Sequence, residues 1–127
     1  APLIHEIEKR AASREMVQPV LLQVNIGREP QKGGVDPDEL EALLACAAEN
    51  AHIRVKGLMA IPPAGEDASP YFAAMYRLYE RFRAVDSRID MEVLSMGMSH
   101  DYEQAISYGA NMVRVGTAIF GPRQIKV

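Results

Sequence analysis

Four short β-rich runs alternate with helical patterns, and this alternation constrains the fold more than any other feature of the chain. The runs are Pro19–Asn25, Ile53–Met59, Met91–Leu94 and Met112–Val115. Strands that are joined by helical crossovers pair in parallel, and parallel sheets are usually covered on both faces. The sequence therefore predicts an α/β fold with a parallel sheet that is covered on both faces.

The first two helices are marked by apolar periodicity and by a helix-start signal. A helix is predicted from Pro2 to about Ala12, because its apolar residues recur at helical spacing. Asp36 and Pro37 are typical of an N-cap and a first helical position. The helix that follows has one core-directed face, made of Leu40, Leu43, Leu44, Ala47 and Ala48.

Two further helices are predicted in the second half of the chain. Ser69 and Pro70 begin a helix with an apolar stripe of Phe72, Met75, Tyr76, Tyr79 and Phe82. Ser99 is predicted to cap a helix that ends at Gly109. Each predicted strand is thus followed by a helix or by the start of one.

Two closures are possible for such a sheet. The chain has 127 residues and a mass of 14.0 kDa, which suits one domain. A doubly wound open sheet accommodates four strands, whereas a (β/α)8 barrel needs about 250 residues, so this chain would be half of one. Length alone favours the open sheet, while the loops described below favour the barrel.

Composition limits the classes of partner. Seventeen acidic and fourteen basic residues give a formal net charge of −3, which argues against a nucleic-acid backbone as the partner. No apolar run approaches the roughly 20 residues that cross a bilayer. The single cysteine, Cys46, excludes an internal disulfide framework and a cysteine-rich zinc site. We expect a soluble cytoplasmic protein with no metal, no membrane and no nucleic acid.

Two junctions between a strand and a helix are predicted to bind an anion. Ser95 to Ser99 follow the third strand, where Gly97 allows a tight turn and the next helix offers unpaired N–H groups. The other interpretation is that Ser99 is only an N-cap and Gly97 only a turn. Gly116 and Thr117 repeat the arrangement after the fourth strand, and barrels often bind phosphate with the loops after their last two strands.

Three more residues stand near the predicted strand ends. Arg114 should point into the interior of the sheet or its C-terminal mouth, where a buried guanidinium needs either a salt bridge or a ligand. Asn25 ends the first strand, at the edge where ligands meet parallel sheets. Met59 ends the second strand and either lines the same mouth or packs in the core.

Four segments in consistent order carry a resemblance to a known family: Pro19–Asn25, Gly57–Pro62, Leu94–Ser99 and Val113–Gly121. Together they closely resemble the pyridoxal-phosphate homeostasis protein family, which is related to the barrel domain of alanine racemase. The resemblance implies a TIM-type (β/α)8 barrel that holds pyridoxal 5′-phosphate (PLP). Residues 1–127 would then be the C-terminal half of this single barrel domain.

The resemblance also implies roles for the candidate site residues. Ser95 and the backbone at Gly116 and Thr117 would bind the phosphate, Arg114 would face the pyridine nitrogen, and Asn25 and Met59 would lie beside the cofactor. A permanently charged guanidinium opposes protonation of that nitrogen and so weakens the electron sink. The expected function is intracellular PLP homeostasis as a cofactor carrier or buffer rather than as an enzyme.

One residue that the resemblance calls for has no match. The family's Schiff-base lysine lies on an early barrel strand, and none of the four lysines stands in that context: Lys9, Lys32, Lys56 and Lys126. We therefore expect weak, non-covalent PLP binding by this chain. Half a barrel leaves open sheet edges, so a companion fragment or self-association is expected to supply the other half.

Two other functions stay open. A PLP-dependent amino-acid racemase is suggested by the kinship with alanine racemase, but racemisation needs acid–base groups on both faces of the substrate. Neither the cofactor lysine nor the second-face tyrosine of that enzyme has a counterpart here. A barrel enzyme that acts on a phosphosugar would use the same phosphate-binding loops without a cofactor.

Overall fold

Helices and strands alternate along the chain, as the sequence predicts. A computed structural model describes residues 2–83 and 88–115. A short 3₁₀ helix at Pro37–Glu39 precedes the second helix. The other elements are α1 (Pro2–Ser13), β1 (Gln18–Gln23), α2 (Leu40–Ala48), β2 (Ile53–Met59), α3 (Ser69–Phe82), β3 (Ile89–Met98), α4 (Tyr102–Ser107) and β4 (Met112–Arg114).

The described strands form one parallel sheet in the order β1-β2-β3-β4. Parallel neighbours joined by right-handed crossovers place every connecting helix on the same face of the sheet. In β2, Ile53 and Val55 are buried, whereas the intervening Arg54 is only half-buried. The prediction of a sheet covered on both faces is therefore wrong for the described residues, because this order leaves one face without helices. We call it the open face.

The strand order also decides between the two closures within the described residues. A doubly wound sheet reverses its strand order at a switch point, which is where such folds bind ligands. Here the order runs in one direction from β1 to β4. The prediction from length alone, an open doubly wound sheet, is wrong, and the arrangement is that of consecutive units of a (β/α) barrel.

The core lies between the sheet and the helices. Burying a large apolar side chain stabilises a fold by about 1.5–3 kcal/mol. The predicted stripe of α3 is confirmed except at Tyr76, which is 40% exposed. The side chains that are almost completely buried come from every layer of the core, and the largest of them are Phe72, Leu40, Leu58, Met75, Leu94, Met96, Val24 and Val55.

The predicted start of the second helix is confirmed, with a 3₁₀ turn inserted. The Asp36 carboxylate accepts a hydrogen bond from the Asp38 N–H at 2.9 Å, and Pro37 is the first residue of the turn. This side-chain bond satisfies one of the N–H groups that a helix start leaves unpaired. The α-helix proper begins at Leu40.

β1 is less buried than the sequence predicts. Within Gln18–Gln23 only Leu22 is buried. β1 pairs with β2 on one side. On its other side the described residues contribute a single bridge, between Val24 and Val35. The apolar residues on both faces of the run Pro19–Asn25 are typical of a strand buried on both faces, and that interpretation is wrong for β1, which lies at an edge of the described sheet and has one face on the open face.

β3 is longer than the sequence predicts, since it extends beyond Met91–Leu94 to cover Ile89–Met98. Ser95 pairs with Met59 of β2 and with Met112 of β4. Ladder partners on both sides hold this segment in a strand, although its serine and glycine are typical of loops. Residues 95–98 are therefore not the loop that was predicted.

α4 begins and ends inside its predicted limits. It starts at Tyr102 and ends at Ser107. The prediction that Ser99 caps it is wrong, since the residue at the cap position is Asp101, whose carboxylate accepts a hydrogen bond from the Met98 N–H at 2.7 Å. That bond serves the end of β3, and the residues between β3 and α4 form the turn.

No helix in the described residues is long and apolar enough to cross a membrane.

Candidate functional site at the strand ends

Three of the predicted site residues meet at the carboxyl ends of β2, β3 and β4. Met59 is the last residue of β2 and pairs with Ser95 of β3. Arg114 is the last residue of β4, and its Nη2 lies 3.7 Å from the Met59 sulfur. Carboxyl ends of parallel strands are where α/β folds bind ligands.

Ser95 is the buried polar residue of this group. It is 2% exposed. Its neighbours Leu94 and Met96 are buried against the helices, so the alternation of a strand directs Ser95 to the open face. Its carbonyl accepts a hydrogen bond from the Ala60 N–H at 3.0 Å, which fixes the end of β2 against β3.

Arg114 is exposed, and the prediction that its guanidinium is buried is wrong. The four described strands leave the open face uncovered, so water can solvate the charge. Its contact is a hydrogen bond from Nη2 to the Met59 sulfur, and a thioether is a weak acceptor. No carboxylate among the described residues lies within ion-pair distance of Arg114. Its donors are therefore available to an anionic or acceptor ligand.

Asn25 reaches the same edge of the sheet but is engaged in its own loop. Its carboxamide donates to the Glu29 carbonyl at 2.7 Å and accepts from the Glu29 N–H at 3.0 Å. Both polar groups of the side chain thus hold the turn that follows β1. The structure gives Asn25 a role in shaping the loop beside Met59.

Gly97 has a packing role that the sequence does not reveal. Its φ is +102°, and a Cβ there would lie 2.7 Å from the Cβ of Ala105 in α4. Only glycine combines this backbone conformation with so close an approach. Gly97 therefore brings α4 against the end of β3.

Gly116 and Thr117, the predicted second phosphate-binding loop, lie outside the described residues.

A neighbouring cavity of about 310 Å³ is acidic. It lies between the loops that follow β2 and β3, and its lining includes Glu66, Asp67 and Asp101. Hydrogen bonds from the backbone N–H and the hydroxyl of Ser69 lower the pKa of Asp67, which keeps that carboxylate charged. Three carboxylates repel a phosphate. An anion should therefore bind near Ser95 and Arg114 rather than in this cavity.

Lys56 lies on β2, three residues before Met59, and is ion-paired. Its Nζ is 2.7 Å from the Asp90 carboxylate and 3.7 Å from that of Glu92. The hydrogen bond to Asp90 raises the pKa of Lys56 and lowers the pKa of Asp90. Because an amine must be neutral to attack a carbonyl, this pairing argues against Lys56 as a covalent anchor.

Asn111 is a residue that the sequence reasoning missed. Its carboxamide lies directly before β4 and bonds to the backbone of β3, accepting from the Leu94 N–H at 2.8 Å and donating to the Glu92 carbonyl at 2.7 Å. The sequence did offer one signal, an asparagine between Gly109-Ala110 and a short strand. Asparagine side chains at such positions often form hydrogen bonds with backbone N–H and C=O groups in place of another backbone segment.

The sequence matches a model of the alanine racemase N-terminal domain over residues 2–124. The chain belongs to this family. Among curated relatives, the pyridoxal phosphate homeostasis protein of Aquifex aeolicus is 44% identical over 125 residues, which are 96% of this chain and 54% of that protein. The Pseudomonas aeruginosa protein of the same name is 43% identical over 104 residues, 82% of this chain and 44% of that protein. The chain spans about half the length of the curated relatives it matches.

Solved structures agree with this assignment to the alanine racemase N-terminal domain family. PipY of Synechococcus elongatus without PLP has a TM-score of 0.86 and 31% identity, covering 94% of this chain and 57% of PipY. The structure of PipY with PLP bound has a TM-score of 0.82 and 29% identity over the same shares. A Clostridium difficile alanine racemase, at a TM-score of 0.71 and 16% identity, shares the fold and covers 98% of this chain and 33% of the enzyme.

Proposed function

We propose that this chain binds PLP at the carboxyl ends of β2, β3 and β4 and belongs to a protein of intracellular PLP homeostasis. The observation that carries the proposal is the Arg114 guanidinium, which projects beside Met59 with no carboxylate partner among the described residues. The names of the curated relatives and the PLP-bound PipY structure support it.

The donors of this site fit the chemistry of PLP. A phosphate dianion needs hydrogen-bond donors and positive charge, and the site offers the Ser95 hydroxyl and the exposed Arg114 guanidinium. We assign the phosphate to Ser95 and to the backbone of Gly116 and Thr117, and the pyridine nitrogen to Arg114. Met59 would lie beside the ring, and Asn25 would act through the loop that it holds.

The same residues favour a carrier over an enzyme. Bound PLP supplies an aldehyde and an electron sink, and the sink depends on a protonated ring nitrogen. Arg114 stays charged and donates hydrogen bonds, so it opposes that protonation. Lys56 is held charged by Asp90. The chain therefore retains PLP weakly and without a covalent bond.

An apolar groove supports the proposal that the chain is the C-terminal half of a closed barrel. The groove of about 950 Å³ runs along the edge of β1 between α1 and α2. Its apolar lining includes Leu3, Ile4, Ile7, Leu21, Leu43 and Cys46. We propose that a preceding segment of the same protein, or a second copy of this chain, covers the groove and pairs with β1.

The location of the protein would be the cytoplasm.

The experiment is a fluorescence titration of the chain with PLP, with pyridoxal as the control that lacks the phosphate. We expect saturable, weak binding of PLP and weaker binding of pyridoxal. Ser95→Ala should reduce the preference for PLP, and Arg114→Gln should weaken the binding of both compounds. Borohydride reduction followed by denaturing mass measurement should leave the mass unchanged.

The outcomes separate the proposal from its rivals. Equal binding of PLP and pyridoxal would contradict the phosphate assignment, and a reduced covalent adduct would contradict non-covalent retention. Racemisation of L-alanine by the PLP-loaded protein would overturn the carrier role. A protein that binds sugar phosphates but no PLP would favour the phosphosugar enzyme.

A further inference from the structure

The Asn111 carboxamide joins two strands as a peptide group would. Its oxygen accepts from the Leu94 N–H and its nitrogen donates to the Glu92 carbonyl, while its own backbone N–H donates to the Leu94 carbonyl at 3.1 Å. Three hydrogen bonds from one residue thus connect the start of β4 to β3. They lie at the amino-terminal end of β4.

β4 has few other means of holding its register. It is three residues long, and its pairs with β3 are Ser95 with Met112 and Met98 with Arg114, with an irregularity between them. A short strand with an irregular ladder is weakly specified. The anchor at Asn111 stands directly before the first of these pairs.

The register of β4 decides where Arg114 points. Side chains alternate between the two faces of a strand, so a shift by one residue would turn Arg114 from the open face to the helix-covered face. It would also change which residue of β4 stands opposite Ser95. The Ser95 hydroxyl and the Arg114 guanidinium, which we assign to PLP, therefore stay on the same face of the sheet only while β4 keeps its register.

We propose that Asn111 is a positioning residue for the PLP site: its carboxamide locks β4 against β3 and so aims Arg114 beside Met59 and Ser95. This inference rests on the proposed function. In this proposal Asn111 acts through β3 and β4 and not by touching the ligand, because its carboxamide bonds to Leu94 and Glu92. A carboxylate at this position could accept from Leu94 but could not donate to Glu92, so the role requires a carboxamide.

The test compares Asn111→Ala and Asn111→Asp with a matched control, Asn50→Ala. Asn50 also donates from its carboxamide to a backbone carbonyl, that of Cys46 at 2.7 Å, but it does so at the end of α2. Without ligand, hydrogen exchange at the Leu94 and Arg114 amides should accelerate in Asn111→Ala, which loses both side-chain bonds. In Asn111→Asp, which keeps the acceptor for the Leu94 N–H, exchange should accelerate at the Arg114 amide, and neither amide should change in Asn50→Ala. Unchanged exchange in the Asn111 variants would overturn the lock.

With ligand, Asn111→Ala should weaken PLP binding by about 5- to 10-fold, because only the fraction of the chain that keeps β4 in register binds well. Asn50→Ala should bind as the unchanged chain does. In an Arg114→Gln background, Asn111→Ala should cause little further loss, because the two residues act through one position. A fully additive loss would show that Asn111 acts independently of Arg114 and would overturn the proposal.

The failure of each proposal looks different. If the unchanged chain binds no PLP, the proposed function falls, and the positioning role falls with it. If the unchanged chain binds PLP and Asn111→Ala binds it equally well, only the positioning role is overturned. The hydrogen-exchange result distinguishes a lost lock from a variant that has merely lost stability, because Asn50→Ala controls for the latter.

Discussion

The carbonyl oxygen of Val93 occupies the space that a side chain at residue 57 would need. A Cβ built on Gly57 lies 1.8 Å from that oxygen. The two residues are paired between β2 and β3, directly after an irregularity in the register that follows Val55. β2 and β3 therefore approach each other only because residue 57 has no side chain.

We predict that Gly57→Ala strongly destabilises the chain. The obstacle is backbone rather than a flexible side chain, so the strands must separate, and the expected loss is about 3 kcal/mol or more. Urea unfolding followed by circular dichroism measures it. Gly33→Ala is the control, because the nearest atoms to a Cβ there lie 3.9 Å away. Equal stability of the two variants would contradict the close approach.

A second prediction concerns the hydroxyl of Tyr79, which donates to the Met91 carbonyl at 2.9 Å. Tyr79 is 7% exposed, so Tyr79→Phe leaves that carbonyl with one partner fewer in the core. We expect a loss of about 1–2 kcal/mol in the free energy of unfolding. Tyr76→Phe is the matched control on the same helix, since its exposed ring should change stability by less than about 0.5 kcal/mol.

Local signals were enough to predict most elements of the fold. Ile53–Met59 was predicted with the observed bounds, because a β-rich run there ends close to Pro62. β3 was predicted too short, because Ser95 and Gly97 have low strand propensity. Their place in the strand depends on pairing with β2 and β4, which lie far away in sequence. Propensity carries no information about such partners.

The candidate site was predicted only in part, for a similar reason. Strand ends indicated that Met59, Ser95 and Arg114 would converge, and the structure brings them together. Strand alternation cannot say whether a face is covered, so the exposure of Arg114 was missed. The bonds of Asn25 to its own loop and of Asn111 to β3 depend on the path of the chain after each turn.

A third prediction follows from the pairing of Lys56 with Asp90. Since this pairing lowers the pKa of Asp90, its contribution to stability is present above the ordinary aspartate pKa. The contribution is lost as the pH falls through the lowered pKa. The pKa of Lys56 is raised, so its share is present below the ordinary lysine pKa and is lost as the pH rises through the raised value.

Asp90→Asn should therefore be less stable than the unchanged chain at neutral pH, and the difference should vanish in acid. Urea midpoints measured from neutral pH to below the aspartate range give the comparison. Glu92→Gln serves for comparison: its carboxylate lies farther from Lys56, at 3.7 Å, is more exposed, and contributes less than Lys56 to the lowered pKa of Asp90, so its pH-dependent difference should be smaller. A difference between Asp90→Asn and the unchanged chain that is constant with pH would mean that the ion pair is not its source.

The last prediction concerns the contact between Met59 and Arg114, which allows a substitution to block the proposed site. Met59→Glu would place a carboxylate beside the guanidinium, and the charged pair would occupy donors that we assign to the ligand. The new charge would also repel the phosphate. We expect PLP binding to weaken by more than about 10-fold, since a hydrogen bond to a charged group is worth about 1.5–3 kcal/mol.

Met59→Leu separates this electrostatic effect from a loss of packing. Leucine keeps the volume but removes the sulfur acceptor, so PLP binding should fall by no more than about 3-fold, in keeping with the tolerance of volume-conserving exchanges. Both variants are compared by PLP titration at low and at high salt. Added salt should recover part of the binding that Met59→Glu loses, because screening weakens the pair that is exposed on the open face. Equal losses in the two variants would mean that Met59 acts through packing, and the assignment of Arg114 to the ligand would lose its support.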